Sequence, residues 1–278
     1  MENRATSYRL RAIRALTLRE LRSLFLGFGI YIVAAIALLG SAGMVSSFIG
    51  AVSDAGLQVS AEPLSMPFLL AIVAFTLYLG ILATLAISRE RDRGTLEVLF
   101  YGPVDSLSYV MAKFVQHVAA FVIIIIGTLI VFGLISMISG LVFTSSLIKM
   151  ALLSLFFVST AIAFGIFLSS STSKTRNSII LFILIMLGFG LFSLLEGYVN
   201  SLRGDVPAIV ENARVVVAWL SRGLDWISPV AYLSRGVEAA RIGDPKMLAQ
   251  SIVGPIIYTG ILLWLSVQAF DRKGVRAR

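Results

Sequence analysis

The sequence contains no cysteine and a single histidine, His117, among its 278 residues. Without cysteine the chain forms no disulfide, thiolate metal site or thiol nucleophile, and its redox compartment stays undetermined. One histidine cannot build a His-rich metal site or the H-E-x-x-H pattern of zinc peptidases. His117 falls close to the end of an apolar run, and we expect it to be a helix-end or interface residue rather than a catalytic one.

Charged residues are also scarce, at 14% of the chain, against about 25% in soluble domains. Hydrophobic residues make up 58% and are concentrated in long runs. No stretch is both polar enough and long enough to fold as a soluble domain. We therefore predict an all-α membrane protein with one transmembrane domain over residues 1–278.

Six apolar runs have about the 20 residues that a bilayer requires. We predict spans at 24–49, 66–88, 114–140, 147–169, 178–199 and 251–270. The first span is rich in small residues, which allow close helix packing in lipid. They are Gly27, Gly29, Gly40, Ser41 and Gly43. Residues 1–23 are moderately amphipathic and predict an interfacial helix, although a plain basic flank explains them nearly as well.

Basic residues are distributed unevenly along the chain. Segments 1–23, 89–113, 174–176 and 272–278 carry six, four, two and four of the 23 basic residues, whereas 50–65 carries none. The positive-inside rule therefore puts both termini in the cytoplasm of a multi-pass protein of the plasma (inner) membrane. Topology also accounts for the net charge of +8, so no nucleic-acid partner is expected.

Several kinds of catalytic or driving site are missing. No G-x-x-x-x-G-K-[ST] pattern occurs, so the chain is not expected to hold ATP or to be an enzyme. The spans contain no paired aspartates and almost no charge at mid-depth, which disfavours an intramembrane protease and an ion-coupled carrier. Lys113, Lys149 and Glu196 lie near span ends, where we expect them to snorkel towards water. Energy for any transport would have to come from another subunit.

Segment 89–113 is a charged stretch between two apolar spans, so we expect it outside the bilayer. Gly94 is suited to end the preceding helix, and Thr95 to cap a new one. Glu97 would then lie in the first turn, where the helix dipole favours an anion. Four residues follow at near-helical spacing and would form an apolar edge: Leu96, Leu99, Phe100 and Pro103.

In order, this segment contains Glu90, Gly94-Thr95-Leu96-Glu97, Leu99, Gly102-Pro103-Val104 and Lys113. That order resembles the cytoplasmic loop of the ABC-2 family of ABC transporter permeases. The resemblance implies a coupling helix that docks on an ATPase subunit. It implies ionic or capping contacts by Glu90 and Glu97, a docking face at Leu96, Leu99 and Phe100, and a helix break at Gly94.

The resemblance further implies two permease chains, identical or homologous, above two ATPase subunits that hold ATP and Mg²⁺. The chain itself would carry no cofactor, and its activity would most often be export. Segment 200–250 would contain two short external helices before the last span, with Pro229, Tyr232 and Arg241 as candidates for an outer gate. An ordinary amphipathic external helix explains these three residues about equally well.

One alternative belongs to another class of protein. The same loop could anchor a cytoplasmic partner in a membrane scaffold or assembly factor that transports nothing.

The polar segment 169–177 is expected to be a second cytoplasmic loop, as a connector rather than a docking site. The substrate cannot be predicted, since Phe, Leu, Ile, Gly and Ser in the spans suit lipids, drugs and peptides alike.

Overall fold

The computed structural model describes residues 2–55, 62–94, 105–172, 174–202, 208–242 and 245–273. In these ranges the chain forms nine helices and no strand, which confirms the all-α prediction. In chain order they are α1 (Glu2–Leu26), α2 (Phe28–Ala55), α3 (Ser65–Asp92), α4 (Ser106–Ser139), α5 (Ser145–Ser171), α6 (Thr175–Ser201), α7 (Ala208–Leu224), α8 (Pro229–Ile242) and α9 (Pro245–Lys273).

Six of these helices, α2 to α6 and α9, are long and apolar enough to cross a membrane. Each overlaps one predicted span, but several extend well beyond it. α4 begins at Ser106 instead of 114, and α9 begins at Pro245 instead of 251. An established helix adds each polar residue at little cost, because every added residue makes one more backbone hydrogen bond. Hydropathy therefore marks the apolar part of each helix and misses its polar ends.

The centre of the bundle is formed by α3 and α5. In the most apolar stretch of α5, 67% of the residues are buried, against 17% in α2 and α6. A Cβ atom on Gly165 of α5 would lie 2.7 Å from the carbonyl oxygen of Gly80 in α3, so the two backbones are in direct contact. A Cβ on Gly80 would in turn collide with the ring of Phe182 in α6. Small residues thus allow these helices to pack closely.

The small residues of α2 are used less than the sequence suggests. Ser41 is fully buried, and its Oγ lies 2.8 Å from the carbonyl oxygen of Pro67 at the start of α3. Gly29 lies under the hydroxyl of Tyr78. A Cβ on Gly43, however, would meet no atom within 4 Å. α2 therefore packs along one side of α3, while many of its other apolar side chains remain exposed.

Helix termini meet at two opposite ends of the bundle. We call one the charged end: it comprises α1, the end of α3, the start of α4, the α5–α6 connection and the end of α9. The other is the far end: it comprises the start of α3, the α4–α5 connection, α7 and α8. At the far end Ser146 Oγ donates a hydrogen bond of 3.1 Å to Glu62 Oε2. α1 and the end of α9 both lie at the charged end, because the described chain crosses the bundle six times between them.

Candidate functional site at the charged end

Lys113 of α4 links three helices at the charged end. Its Nζ lies 2.5 Å from Glu90 Oε1 of α3 and 3.4 Å from Glu20 Oε2 of α1. Lys113 is only 5% exposed, so this ammonium does not reach into water as expected for a snorkelling lysine. The earlier expectation is wrong here, because two carboxylates from other helices meet the cation inside the protein. Lys149 at the far end is exposed, as expected.

Tyr109, one helical turn before Lys113, adds a fourth helix to this link. Its hydroxyl donates a hydrogen bond of 2.6 Å to Glu90 Oε2. Its ring is 1% exposed and lies 5.6 Å from the ring of Phe270 in α9. One oxygen of Glu90 therefore accepts a hydrogen bond from the Lys113 ammonium, and the other accepts one from the Tyr109 hydroxyl. Hydrogen bonds to charged groups are stronger than neutral ones, so these contacts fix the carboxylate firmly. We call Glu20, Glu90, Tyr109 and Lys113 the lysine cluster.

Glu20 has the most informative electrostatics of the cluster. Burial raises the pKa of its carboxyl, but Lys113 and Arg19 together lower it more, so the net pKa lies below 4.5. Arg19 contributes a hydrogen bond of 2.8 Å to the other carboxylate oxygen. Glu20 is thus charged at neutral pH. Removing Lys113 would take away the cation that Glu20 and Glu90 share, which is costly because both carboxylates are partly buried; Glu20 would keep its contact with Arg19.

A second set of contacts ties the end of α3 to the α5–α6 connection. Arg91 donates hydrogen bonds to the carbonyl oxygens of Thr172 at 2.6 Å and Ser170 at 3.3 Å. The carboxylate of Asp92 accepts hydrogen bonds from the backbone N–H and the hydroxyl of Thr175. Ser169 Oγ accepts further bonds from backbone N–H groups of α3. The predicted loop 169–177 is therefore mostly helical: α5 continues to Ser171, and α6 starts at Thr175.

The two ends of segment 95–104 are both anchored. On one side Gly94 has a φ of +67°, a left-handed conformation that glycine adopts freely, and its N–H bonds to the carbonyl oxygen of Arg91 at 3.1 Å. On the other side Asp105 pairs with Arg9 of α1 at 3.1 Å. Ser106 donates a hydrogen bond of 2.5 Å to Asp271 at the end of α9. The described residues on either side of segment 95–104 are thus held to the bundle.

The structure brings together only some of the predicted docking residues. Glu90 lies in the lysine cluster, and Gly94 lies just beyond the end of α3. The other six lie outside the described residues: Thr95, Leu96, Glu97, Leu99, Phe100 and Pro103. Sequence reasoning missed Glu20 and Tyr109. The available signal for Glu20 was an acidic residue placed between Arg19 and Arg22 in a helix rich in arginine.

The predicted gate residues lie at the far end. Pro229 is the first residue of α8, as its fixed φ favours. Tyr232 is 4% exposed, donates a hydrogen bond of 2.7 Å to the carbonyl oxygen of Trp226, and places its ring against Gly254 of α9. Burial raises the pKa of the Tyr232 phenol, and nearby Arg235 opposes part of that rise. The side chain of Arg241 lies outside the described residues.

Arg235, which sequence reasoning did not single out, organises the α7–α8 corner. Its guanidinium lies 5.2 Å from the ring centre of Tyr232 and 5.8 Å from that of Trp226. It donates hydrogen bonds to the carbonyl oxygens of Asp225 and Ala231. Cation–π contacts of this kind stabilise the corner more strongly where water is excluded.

The described contacts at the charged end link helices to each other. In the described residues no group of three His, Asp or Glu side chains could hold a metal ion.

The model of a family described as "ABC-2 family transporter protein" matches residues 17–275. No curated protein matches the chain. The match covers the lysine cluster, all six spans and both helices of the far end.

Proposed function

Since the chain belongs to the ABC-2 transporter family and is a membrane permease of an ABC transporter, we propose that it is the transmembrane subunit of an ATP-driven exporter. Two such chains, identical or homologous, form the transport path. Separate ATPase subunits bind at the charged end, which faces the cytoplasm, and hold the ATP and Mg²⁺. The permease itself performs no catalysis and converts their movement into a rearrangement of its spans.

The observation that carries this proposal is the link made by Lys113. Segment 95–104 connects α3 to α4, and the lysine cluster joins those two helices to each other and to α1 close to where the segment begins. A force on the loop would therefore move α1, α3 and α4 together. A flexible connector would need no such link. This arrangement supports a coupling role for Glu90, Gly94 and the loop residues between α3 and α4.

At the far end, the proposal assigns Pro229, Tyr232 and Arg241 to an outer gate. Support comes from Tyr232, whose ring touches α9 while its hydroxyl holds the turn before α8. Rotation of α8 against α9 would have to displace this ring. The same helix packs on Leu153 of α5 through Gly236. α8 is therefore placed to respond when the central helix α5 moves.

The first test is co-purification from detergent extracts with the partner identified by mass. We expect an ATPase with a P-loop to co-purify with the tagged chain. Changing Leu96, Leu99 and Phe100 together to Asp should release it, because charges would replace the apolar docking face. The matched control changes three exposed apolar residues of α7, Val215, Val216 and Trp219, to Asp. This control should keep the ATPase bound.

Three outcomes would count against the proposal. If the chain purifies alone, or if both triple variants keep the ATPase, segment 95–104 is not the docking site. If a partner without a P-loop is recovered and released by the loop variant, the scaffold alternative is favoured.

The absence of natural cysteine allows a separate test of sidedness. A membrane-impermeant maleimide should label Val142→Cys from outside intact cells and should label Asp92→Cys only after the membrane is opened.

A further inference from the structure

A cleft of about 480 Å³ lies beside the lysine cluster, between α1, α3 and α4. Its walls change character along α3. Arg89 and Arg93 line it towards the end of that helix, whereas Leu82 and Leu85 line it farther into the bundle. At 1.5 Å per helical residue, Leu82 and Arg93 are separated by about 16 Å along the axis. The cleft therefore runs from the membrane surface into the apolar region.

Arg89 and Arg93, the two arginines at the outer part of the cleft, do not tie described helices together. Neither side chain forms an ion pair with a described residue, and both are exposed. Arg91, which lies between them in sequence, is by contrast bound to the α5–α6 connection. Including Lys113, three cations and two carboxylates line the cleft, so its charge is net positive. Guanidinium groups spaced one helical turn apart suit a phosphate, which each can contact through two N–H groups.

Deeper in the cleft, Gln116 of α4 provides an independent sign of a ligand. It is 5% exposed, and its Oε1 is buried without a hydrogen-bond partner among the described residues. An unpaired buried amide oxygen is costly, so such groups are rare in native proteins. A half-turn of the side-chain amide exchanges its oxygen and nitrogen, so Gln116 can meet a donor or an acceptor of a bound molecule.

The neighbouring His117 adds a polar atom to the same wall. Its Nδ1 lies 2.7 Å from the carbonyl oxygen of Lys113 and must carry the proton, since a carbonyl only accepts. The neutral ring then keeps Nε2 as an acceptor. The order from surface to interior is thus cationic at Arg89 and Arg93, polar at Gln116 and His117, and apolar at Leu82. The groups of a glycerophospholipid complement this order: an anionic phosphate, then the polar glycerol, then apolar acyl chains.

We propose that this cleft binds one anionic glycerophospholipid of the leaflet at the charged end, with its phosphate on Arg89 and Arg93 and its glycerol region against Gln116. The acyl chains then lie along Leu24, Leu82 and Leu85, which line the apolar part. A bound lipid would contact α1, α3 and α4 together and so add to the link made by Lys113. The proposal needs the membrane placement of the helices and does not depend on export or on an ATPase.

Native mass spectrometry of the delipidated chain in a nonionic detergent tests the site. Three probes separate the sources of the chemistry: phosphatidylglycerol, diacylglycerol with the same acyl chains, and glycerol 3-phosphate. We expect one phosphatidylglycerol per chain, with at least tenfold weaker retention of the other two. Arg89→Gln/Arg93→Gln should weaken phosphatidylglycerol at least tenfold, and Gln116→Met should weaken it severalfold.

The control is Arg11→Gln/Arg14→Gln, which removes the same charge from exposed positions on α1 outside the cleft. It should leave retention unchanged, and each variant should keep the wild-type unfolding temperature. Equal loss in both double variants would overturn the site in favour of diffuse charge attraction. Equal binding of glycerol 3-phosphate would make it a site for soluble anions, and equal binding of diacylglycerol would make it a purely apolar groove. Either result would reject the lipid proposal.

Discussion

The two ends of the bundle are held together by different kinds of contact. At the charged end, residues far apart in sequence are joined: Lys113 meets Glu20 and Glu90, and Arg91 meets Thr172. At the far end one hydrogen bond, from Ser146 to Glu62, joins distant residues, but the polar contacts of the α7–α8 corner are local. Tyr232 binds the carbonyl oxygen of Trp226, and Arg235 binds that of Asp225, within the same corner. The described ion pairs between distant helices therefore lie at the charged end, whereas the α7–α8 corner is shaped by contacts within itself.

This difference indicates how the permease could move. Contacts that join α1, α3, α4, α5 and α9 make the charged end respond as a unit to a push on segment 95–104. The α7–α8 corner keeps its own shape and reaches the bundle through a few ring and glycine contacts, such as Tyr232 on Gly254. Rigid bodies joined by small sliding contacts are a common basis for conformational switching. The predictions below test whether the two ends differ in this way.

The largest effect is expected from Lys113→Met. This change removes the cation that the partly buried Glu20 and Glu90 share, although Glu20 keeps Arg19, and breaking a buried pair costs about 3–5 kcal/mol. The free energy of unfolding in detergent measures the loss. Lys149→Met, at an exposed position of the far end, is the matched control. It should cost less than about 1 kcal/mol, as exposed charges contribute little.

A combined variant separates lost attraction from uncompensated charge. Adding Glu20→Gln and Glu90→Gln to Lys113→Met removes all three charges and should recover much of the stability. If Lys149→Met were as damaging as Lys113→Met, or if the combined variant were worse than the single one, the lysine cluster would not be the dominant contact of the charged end.

The next effect compares one tyrosine at each end. Tyr109→Phe removes a hydrogen bond to the charged carboxylate of Glu90 and should cost about 1.5–3 kcal/mol, whereas Tyr232→Phe removes a bond to a neutral carbonyl and should cost about 0.5–1.5 kcal/mol. A double-mutant cycle of Tyr109→Phe with Glu90→Gln measures the coupling directly. Equal losses for the two tyrosines, or an additive cycle, would show that the carboxylate contact has no special weight.

A third pair compares two glycines in left-handed conformations. Gly94 follows α3 at φ +67°, and Gly140 follows α4 at φ +70° at the far end. A Cβ on either would meet no atom within 4 Å, so Ala at each position should cost the same backbone term of about 1–2 kcal/mol. Only Gly94→Ala should also weaken ATPase co-purification, since it alters the start of the proposed docking loop. A similar loss with Gly140→Ala would attribute the effect to general instability.

The sequence predicts well what depends on local pattern. The six spans follow from apolar runs, and two short helices, α7 and α8, precede α9 as expected for segment 200–250. Gly94 follows closely on the end of α3 at Asp92, near the helix break that its conformational freedom predicts. Helix ends were less predictable, because Ser106 to Lys113 contains serines and a lysine outside the predicted span and 169–171 is a run of serines, yet both are helical in the structure.

Contacts between distant helices could not be read from the pattern. A lysine near a span end has two physically sound outcomes, snorkelling or internal pairing, and the choice depends on what faces it. Lys113 is paired because α1 folds back and presents Glu20, 93 positions earlier in the chain. Lys149 meets no described carboxylate and is exposed. The docking role of Leu96, Leu99 and Phe100 stays a prediction, as these residues lie outside the described part of the chain.

The smallest effect is a difference in how the two ends respond to pH. The folded-state pKa of Glu20 lies below 4.5, so its contribution to stability is complete above pH 4.5 and is lost as the pH falls through the folded value. The pKa of Tyr232 is raised above 10 by burial, so folding favours the neutral phenol. Its contribution is complete below pH 10 and is lost at higher pH. Acid should thus weaken the charged end, and alkali the far end.

Unfolding temperatures of the wild type, Glu20→Gln and Tyr232→Phe across both pH ranges measure this difference. The difference in unfolding temperature between the wild type and Glu20→Gln should become smaller below pH 4.5. The difference between the wild type and Tyr232→Phe should become smaller above pH 10. A constant difference for Glu20→Gln would mean that Lys113 does not hold Glu20 in its charged form, and the link between α1 and the spans would then rest on packing alone.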